Sequence, residues 1–545
     1  MAAARPRQAA RYAVCVERAS YSASAIVFMT TKTYDICVIG AGIAGALLAT
    51  DAVRRGRTVV MVEAGRRFAF NERLTQLRRN EILGEPVWPW QHDGRDGYVD
   101  SSVDSIGVPY LLERHRVKAV GGSTLHWGAR MSRLMPTDFH TASSYGLGVD
   151  WPLTYDELEP FYSQAEWEVG VAGSVHPLSP PRSREFPMTA FPPSIDESAW
   201  LPITERLGIP TNVSAFAINS APHDGRSQCL AYASCYVCPS GARYSADFHV
   251  AKAESSGRCD VLTETVARRI EIASSGEVTA IHAATLDGKE LEIRGRTYVI
   301  AAHAVESARL LLLSGLGNHS DQVGRNLMDH IYIAAGGYIP TKRFYPYRIG
   351  FERLESHFWY DGEERRKRGA LKPEFTFEND PMDNVEAHKL WGPALANYDA
   401  GKFGHWVGIA SETEMIPNPD SRVRLDADEK DMFGDPVPHV RLAFSDIDRS
   451  THARAQEIGA WLLIKFGVPE VQLPPLWFGS HQMGTCRMSN DPSKGVVDRN
   501  CRVHGTSNLY MAGSSVFPTG GAVQPTLTIA ALSLRLANHL FEPPA

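Results

Sequence analysis

Gly40-Ala41-Gly42-Ile43-Ala44-Gly45 is a G-x-G-x-x-G run, the residue pattern of a phosphate-binding turn. Its first glycine suits a tight turn, the second lets the backbone approach a pyrophosphate, and the third lets a helix pack closely on a strand. A helix starting there offers unpaired N–H groups and the positive end of its dipole to phosphate oxygens. Glu63, 18 residues after Gly45, can accept hydrogen bonds from ribose hydroxyls. Together these residues predict a dinucleotide site and leave FAD and NAD both open. A second group is Cys229, Cys235 and Cys238, which fall within ten residues of one another. Three thiolates could serve as metal ligands; zinc would want a fourth, for which His223 and His249 are candidates. The alternatives are reduced cysteines or a disulfide within the segment.

These residues need a scaffold, and the chain supplies its signals. Asp35–Ile39 (DICVI) reads as a strand, Ala46–Arg54 as a helix and Thr58–Val62 (TVVMV) as a second strand, a βαβ unit that opens a parallel sheet. Thr154 followed by Glu157 predicts an N-cap with a capping box. Pro and Ser dominate 176–195, which reads as an irregular crossover. Strand signals run through 260–286, and Tyr298–Ala302 reads as a buried strand leading to a helix over Glu306–Ser314. Residues 331–475 show no βαβ rhythm. The last 65 residues return to strand, Gly-rich loop and helix, over Leu509–Ala512, 513–526 and Thr528–Leu540.

The 545 residues suggest two to four domains, at roughly 150 residues each. An apolar content of 43% with 22% charged residues is that of a soluble globular protein. The formal net charge of −6 speaks against nucleic acid, whose backbone needs concentrated Lys and Arg. No apolar run reaches about 18 residues, so no transmembrane helix is expected. Eight cysteines are too few for a disulfide scaffold. The first 28 residues are rich in Arg and Ala with Glu17 alone acidic. They read as a disordered or overextended start rather than a transit peptide, and they lack the pattern of a secretory signal.

Four further stretches narrow the reading: Ala119–Arg130 (AVGGSTLHWGAR), Val323–His330 (VGRNLMDH), His481–Met488 (HQMGTCRM) and Asn508–Thr528 (NLYMAGSSVFPTGGAVQPTLT). With them the chain resembles the glucose–methanol–choline (GMC) oxidoreductase family of flavoproteins. The likeness is greatest to its sugar-oxidising branch, which includes pyranose 2-oxidase and FAD-dependent glucose, fructose and gluconate dehydrogenases. It spans residues 34–330 and 475–540. The resemblance implies an α/β fold in which a Rossmann-type FAD domain is interleaved with an α+β substrate domain on an antiparallel sheet. The FAD domain would comprise 31–150, 225–330 and 476–545; the substrate domain would comprise 151–224 and 331–475.

The resemblance also implies roles. Alcohol oxidation by hydride transfer to flavin N5 needs a base for the hydroxyl proton, and His481 stands at the family's base position. Its partner position, Asn or His in the family, is Gln524 here, whose extra methylene moves the amide by about 1.5 Å. Cofactor contacts are implied for Gly40, Gly42, Gly45 and Glu63, for Gly121, Gly122 and Ala267, and for Gly513, Ser514, Pro525 and Thr526. His126 stands where some relatives bond a histidine to the flavin 8α-methyl group; the alternative is a histidine packed beside it. The cysteine segment resembles one that binds a three-iron cluster and relays electrons. It departs in spacing and lacks an adjacent Cys pair, so a segment without a cluster stays open.

The expected function is therefore oxidation of a sugar or glycoside hydroxyl, at ring C2 or C3 or at the anomeric carbon. Electrons would pass to oxygen or to a quinone-type acceptor, with an electron-transfer subunit or a homo-oligomer as partners. A cytoplasmic location is expected, with a periplasmic one through a partner subunit as the alternative. Other readings are a non-sugar alcohol (sterol, aryl or choline-like), a flavin carrier with impaired turnover, and an NAD-dependent dehydrogenase. The last leaves the C-terminal motifs unexplained.

Overall fold

The computed structural model describes residues 28–75, 97–102, 110, 112, 116–194, 196–230, 237–344, 354–377, 391–402 and 404–541. The expectation for the first 28 residues falls, but for Phe28, outside them, as does Cys235.

The chain opens with β1 (Phe28–Ile39), α1 (Ile43–Arg54) and β2 (Val59–Val62). All four residues of β2 are buried, as parallel strands covered on both faces must be. β1 pairs in parallel with β2 and with Glu290–Ile300, and β2 pairs in parallel with Cys259–Leu262. Glu290–Ile300 is long enough to serve two neighbours along one edge. Its first half pairs antiparallel with Val278–Thr285, and its last residues pair in parallel with Leu509–Met511. Thr265–Ile272 completes this seven-stranded sheet.

The second sheet has six strands, each antiparallel to its neighbours, in the order Trp477–Phe478, Ile331–Tyr338, Trp406–Thr413, Leu371–Phe377, Leu354–Glu355 and Asn212–Val213. The helix Asp446–Phe466 packs on one face of it, burying Ala455, Ile458, Leu462 and Leu463. The fold is thus mixed α/β, a mainly parallel sheet beside an antiparallel one, joined by a continuous core. A smaller sheet joins Val99–Asp100 to the hairpin Arg422–Lys430 and Pro436–Arg441.

Local signals held where they rest on side-chain chemistry. Glu157 N donates to Thr154 Oγ1 and Thr154 N donates to Glu157 Oε2 at 2.9 Å, closing the capping box of Tyr155–Val169. The helix Ala304–Ser314 ends on Gly315 with φ +66°, a left-handed cap that glycine adopts without strain. Among the described residues no helix is long and apolar enough to cross a membrane.

Candidate active site

A cavity of about 930 Å³ lies between the two sheets, near the upper end for small-molecule sites. One end is the β1–α1 turn. Gly40 has φ +106°, and a Cβ there would stand 2.4 Å from the Ala301 carbonyl oxygen. A Cβ on Gly45 would stand 2.1 Å from the Gly40 oxygen, so the third glycine does allow close helix packing. Gly42, by contrast, has nothing within 4 Å of a would-be Cβ, and it lines the cavity. That combination leaves the start of α1 open to a phosphate group.

Glu63 ends β2 with its carboxylate turned back on the turn. Oε2 accepts the Ala41 N–H at 2.9 Å and Oε1 accepts the Gly65 N–H at 2.8 Å. A carboxylate has about four acceptor sites, so ribose hydroxyls can share it. The same cavity is lined by Gly122, His126, Ala267, Gly513, Ser514, Pro525 and Thr526. Gly121 lies just behind, its N–H donating to the Ala41 carbonyl at 2.9 Å. The largely apolar space, with an open helix start in its wall, fits a dinucleotide cofactor.

At the other end stand His481 and Gln524, 43 residues apart in sequence and brought into one wall. His481 is anchored through its main chain: Asp329 Oδ1 accepts the N–H of His481 at 2.7 Å and that of His330 at 2.8 Å. Asp329 Oδ2 in turn accepts from Tyr110 Oη and Gln482 Nε2. Ring nitrogens of the two histidines then meet, His330 Nδ1 to His481 Nδ1 at 2.9 Å. Gly479 makes room for this, since a Cβ there would stand 2.8 Å from His481 Nδ1.

Glu412, fully buried on the strand Trp406–Thr413, faces both rings through Oε1, 3.2 Å from His330 Nδ1 and 3.4 Å from His481 Nδ1. Lys372 lies behind it, 3.2 Å from Glu412 Oε2, 2.9 Å from Glu355 and 3.2 Å from Glu374, with Arg130 paired to Glu374. Burial alone would push the Glu412 carboxyl up, but Lys372 and His330 outweigh it and hold the group well below its ordinary range. Burial alone would likewise lower His330, but Glu412 raises it above its ordinary value. The three facing atoms of His330, Glu412 and His481 are the one His/Cys/Asp/Glu group among the described residues close enough to hold a metal ion. Their separations also suit a shared proton.

Gln524 is held by the protein itself. Its Nε2 donates to Glu412 Oε2 at 2.8 Å and to Tyr332 Oη at 3.2 Å, so both amide hydrogens turn to protein acceptors. The stacked rings of Tyr332 and Trp477, 5.4 Å apart and 5° from parallel, flank this wall, and Trp477 is half-exposed. Sequence reasoning named His330 within a motif without a role, and it passed over Glu412, Lys372, Tyr332 and Trp477.

The cysteine segment is described only in part. Cys229 and Cys238 are half-buried. Burial works against the Cys238 thiolate, but the Arg243 N–H and Ser240 outweigh it and pull the thiol below its usual range. His223 Nε2 bonds the Trp167 carbonyl, and His249 bonds Tyr244 and Glu168, so the two candidate fourth ligands have other partners. His504 bonds the Ser489 carbonyl, a structural contact.

This constellation can bind a dinucleotide and take a proton from a group brought beside its far end, the requirements of alcohol oxidation. The chain belongs to the GMC oxidoreductase family, whose N- and C-terminal signatures match residues 112–332 and 417–533. It is accordingly an FAD oxidoreductase, a flavoprotein whose relatives are dehydrogenases and oxidases of alcohols and sugars. It is 31% identical to the fructose dehydrogenase large subunit of Gluconobacter japonicus, over 94% of this chain and 98% of that one. It is 29% identical to 2-methyl-1,2-propanediol dehydrogenase of Mycolicibacterium austroafricanum, over 94% and 96% of the two chains. Its fold is similar to that of the crystal structure of pyridoxine 4-oxidase from Mesorbium loti, with a TM-score of 0.65 at 18% identity, covering 93% of this chain and 99% of that one.

Proposed function

We propose that this oxidoreductase oxidises a ring or anomeric hydroxyl of a sugar or glycoside, with His481 as the base. The observation that carries this reading is the pairing of His481 with an aromatic wall in one cavity. A sugar ring presents an apolar C–H face that packs on an aromatic ring, as the exposed face of Trp477 permits. His481, which lines the same cavity, is then available to its hydroxyls. Likeness to a fructose dehydrogenase over nearly the whole chain supports the same substrate class.

FAD held by the β1–α1 turn, Glu63 and the Gly513–Ser514 loop supplies the acceptor for the hydride. The chain's own residues do the rest. A ring nitrogen of His481 takes the hydroxyl proton, Asp329 keeps that ring in place, and the buried charges around Glu412 receive the imidazolium that results. His126, at the cavity wall, is proposed as the attachment point for the 8α-methyl group. Electrons leave to oxygen or a quinone-type acceptor, and a partner subunit for that transfer accords with the large-subunit relative.

A second reading, oxidation of a small diol, is favoured by the propanediol dehydrogenase relative. An anaerobic panel of hexoses, glycosides and 1,2-diols separates them. Bleaching of the yellow protein by a sugar is expected; bleaching by diols alone would overturn the sugar reading, and a purified protein without flavin would overturn both.

A further inference from the structure

The surroundings of Glu412 give a reason for glutamine at position 524. Both Gln524 amide hydrogens are used, on Glu412 Oε2 and Tyr332 Oη, and its carbonyl accepts from Ser132 Oγ at 3.4 Å. An asparagine is shorter by about 1.5 Å and would lose the 2.8 Å bond to Glu412. Glu412 Oε2 is thus clamped between Gln524 and Lys372, which aims Oε1 at the two imidazoles.

The proton inventory of those imidazoles follows from geometry. His330 Nε2 lies 2.9 Å from the Gly521 carbonyl oxygen, which can only accept, so Nε2 carries a hydrogen. Two ring nitrogens 2.9 Å apart hold one proton between them. With none, two lone pairs would face each other beside a carboxylate; with two, N–H would point at N–H. Glu412 favours a proton on His330, so the base-competent form is the one in which that proton has left and both rings are neutral; there His330 Nδ1 is the acceptor and His481 Nδ1 the donor. His481 is left with its lone pair on Nε2.

We propose that Glu412, clamped by Gln524, acts with His330 as a positioning pair that fixes His481 in its Nδ1–H tautomer. The pair keeps Nε2 available for a hydroxyl proton. When Nε2 takes that proton the O–H bond breaks, the electron pair stays on the alcohol oxygen, and the positive charge appears on a ring facing the Glu412 anion. Gln524 therefore works through Glu412 and not on the substrate. This rests on the reading of His481 as the base.

The charged groups around the ring agree. His481 is faced by His330, Glu412 and Asp329; Glu412 is faced by Lys372 and by the phenol of Tyr332; behind Lys372 stand Glu355, Glu374 and Arg130. Lys372 and Arg130 meet three carboxylates, so a proton arriving on His481 reduces the uncompensated charge of the cluster.

Two measurements test this on the holoenzyme. With ¹⁵N-labelled histidine, and the His481 signal assigned by its loss in His481→Gln, the ring should show a protonated Nδ1 and an unprotonated Nε2. Glu412→Gln and Gln524→Asn should each mix the tautomers. In steady-state kinetics, kcat should fall by about tenfold or more in Glu412→Gln, and by less in Gln524→Asn, in step with the share of the wrong tautomer. Wild-type His481 protonated at Nε2, or an unmixed tautomer in both variants while kcat falls, would overturn the proposal. Failure to oxidise any alcohol would sink the functional reading alone, because the nitrogen spectrum decides the tautomer without turnover.

Discussion

Asp329 holds His481 by its main chain and not by its ring, the carboxylate Oδ1 accepting the His481 N–H at 2.7 Å. The same oxygen takes the His330 N–H, so one buried side chain sets the spacing of both imidazoles. Asp329→Asn keeps the shape but offers an amide hydrogen where Gln482 already donates. Stability should fall by about 1–3 kcal/mol, read from denaturant melts, with turnover reduced and the flavin-to-protein ratio unchanged.

The first-turn glycines should separate folding from binding. Gly45→Ala drives a Cβ into the Gly40 carbonyl and should abolish soluble protein. Gly42→Ala meets nothing in the protein and should fold, yet its methyl enters the space offered to phosphate. The expected result is normal far-ultraviolet circular dichroism with at least tenfold weaker flavin retention, measured by absorbance after gel filtration.

Lys372 is a fully buried cation among Glu355, Glu374 and Glu412. Lys372→Met leaves those carboxylates uncompensated and should cost about 3–5 kcal/mol. The double variant Lys372→Met/Glu355→Gln should recover part of the loss in the same melts.

His452 packs edge-on against Phe444, and neither of its buried ring nitrogens has a hydrogen-bond partner among the described residues. Burial pushes its pKa down to about 4. The unfolded chain, with an ordinary value near 6.5, binds the proton more readily. Stability should therefore be unaffected above about pH 6.5 and fall as pH drops from there toward 4. His452→Phe should flatten that slope by on the order of 1–3 kcal/mol between pH 7 and 5, in urea titrations at the two pH values.

If His126 carries the cofactor, acid-precipitated protein stays yellow, and His126→Ala yields a colourless pellet with a yellow supernatant. A colourless wild-type pellet would rule the bond out, and the same spectra before precipitation report any iron–sulfur absorption.

What the sequence revealed tracks what local chemistry controls. The glycines of the β1–α1 turn, Glu63 and the Thr154 cap are legible because each does its work within a few residues or across one βαβ unit. His481 is named by its motif alone, as the position of the family's base. Glu412 and Lys372 are not, because a strand with its polar residues turned inward looks like an exposed strand until its neighbours are known. The run Ser411-Glu412-Thr413-Glu414 is buried throughout, and only the pairings of Trp406–Thr413 with Ile331–Tyr338 and Leu371–Phe377 explain how. Gln524 shows a related limit: its family position names it as partner of the base, and nothing in the sequence tells that its amide also reaches a carboxylate 112 residues away.

The short strand Trp477–Phe478 closes the antiparallel sheet against Ile331 and Tyr332, only a few residues before His481. A few residues further on, Gly484 N and Cys486 N donate to the carbonyls of Ser514 and Ser515, in the loop that follows the edge strand Leu509–Met511 of the parallel sheet. His481 thus rides on a strap riveted to both sheets within ten residues. Such a strap leaves little slack at its middle, so the residue proposed as the base is held in one place by two sheets at once.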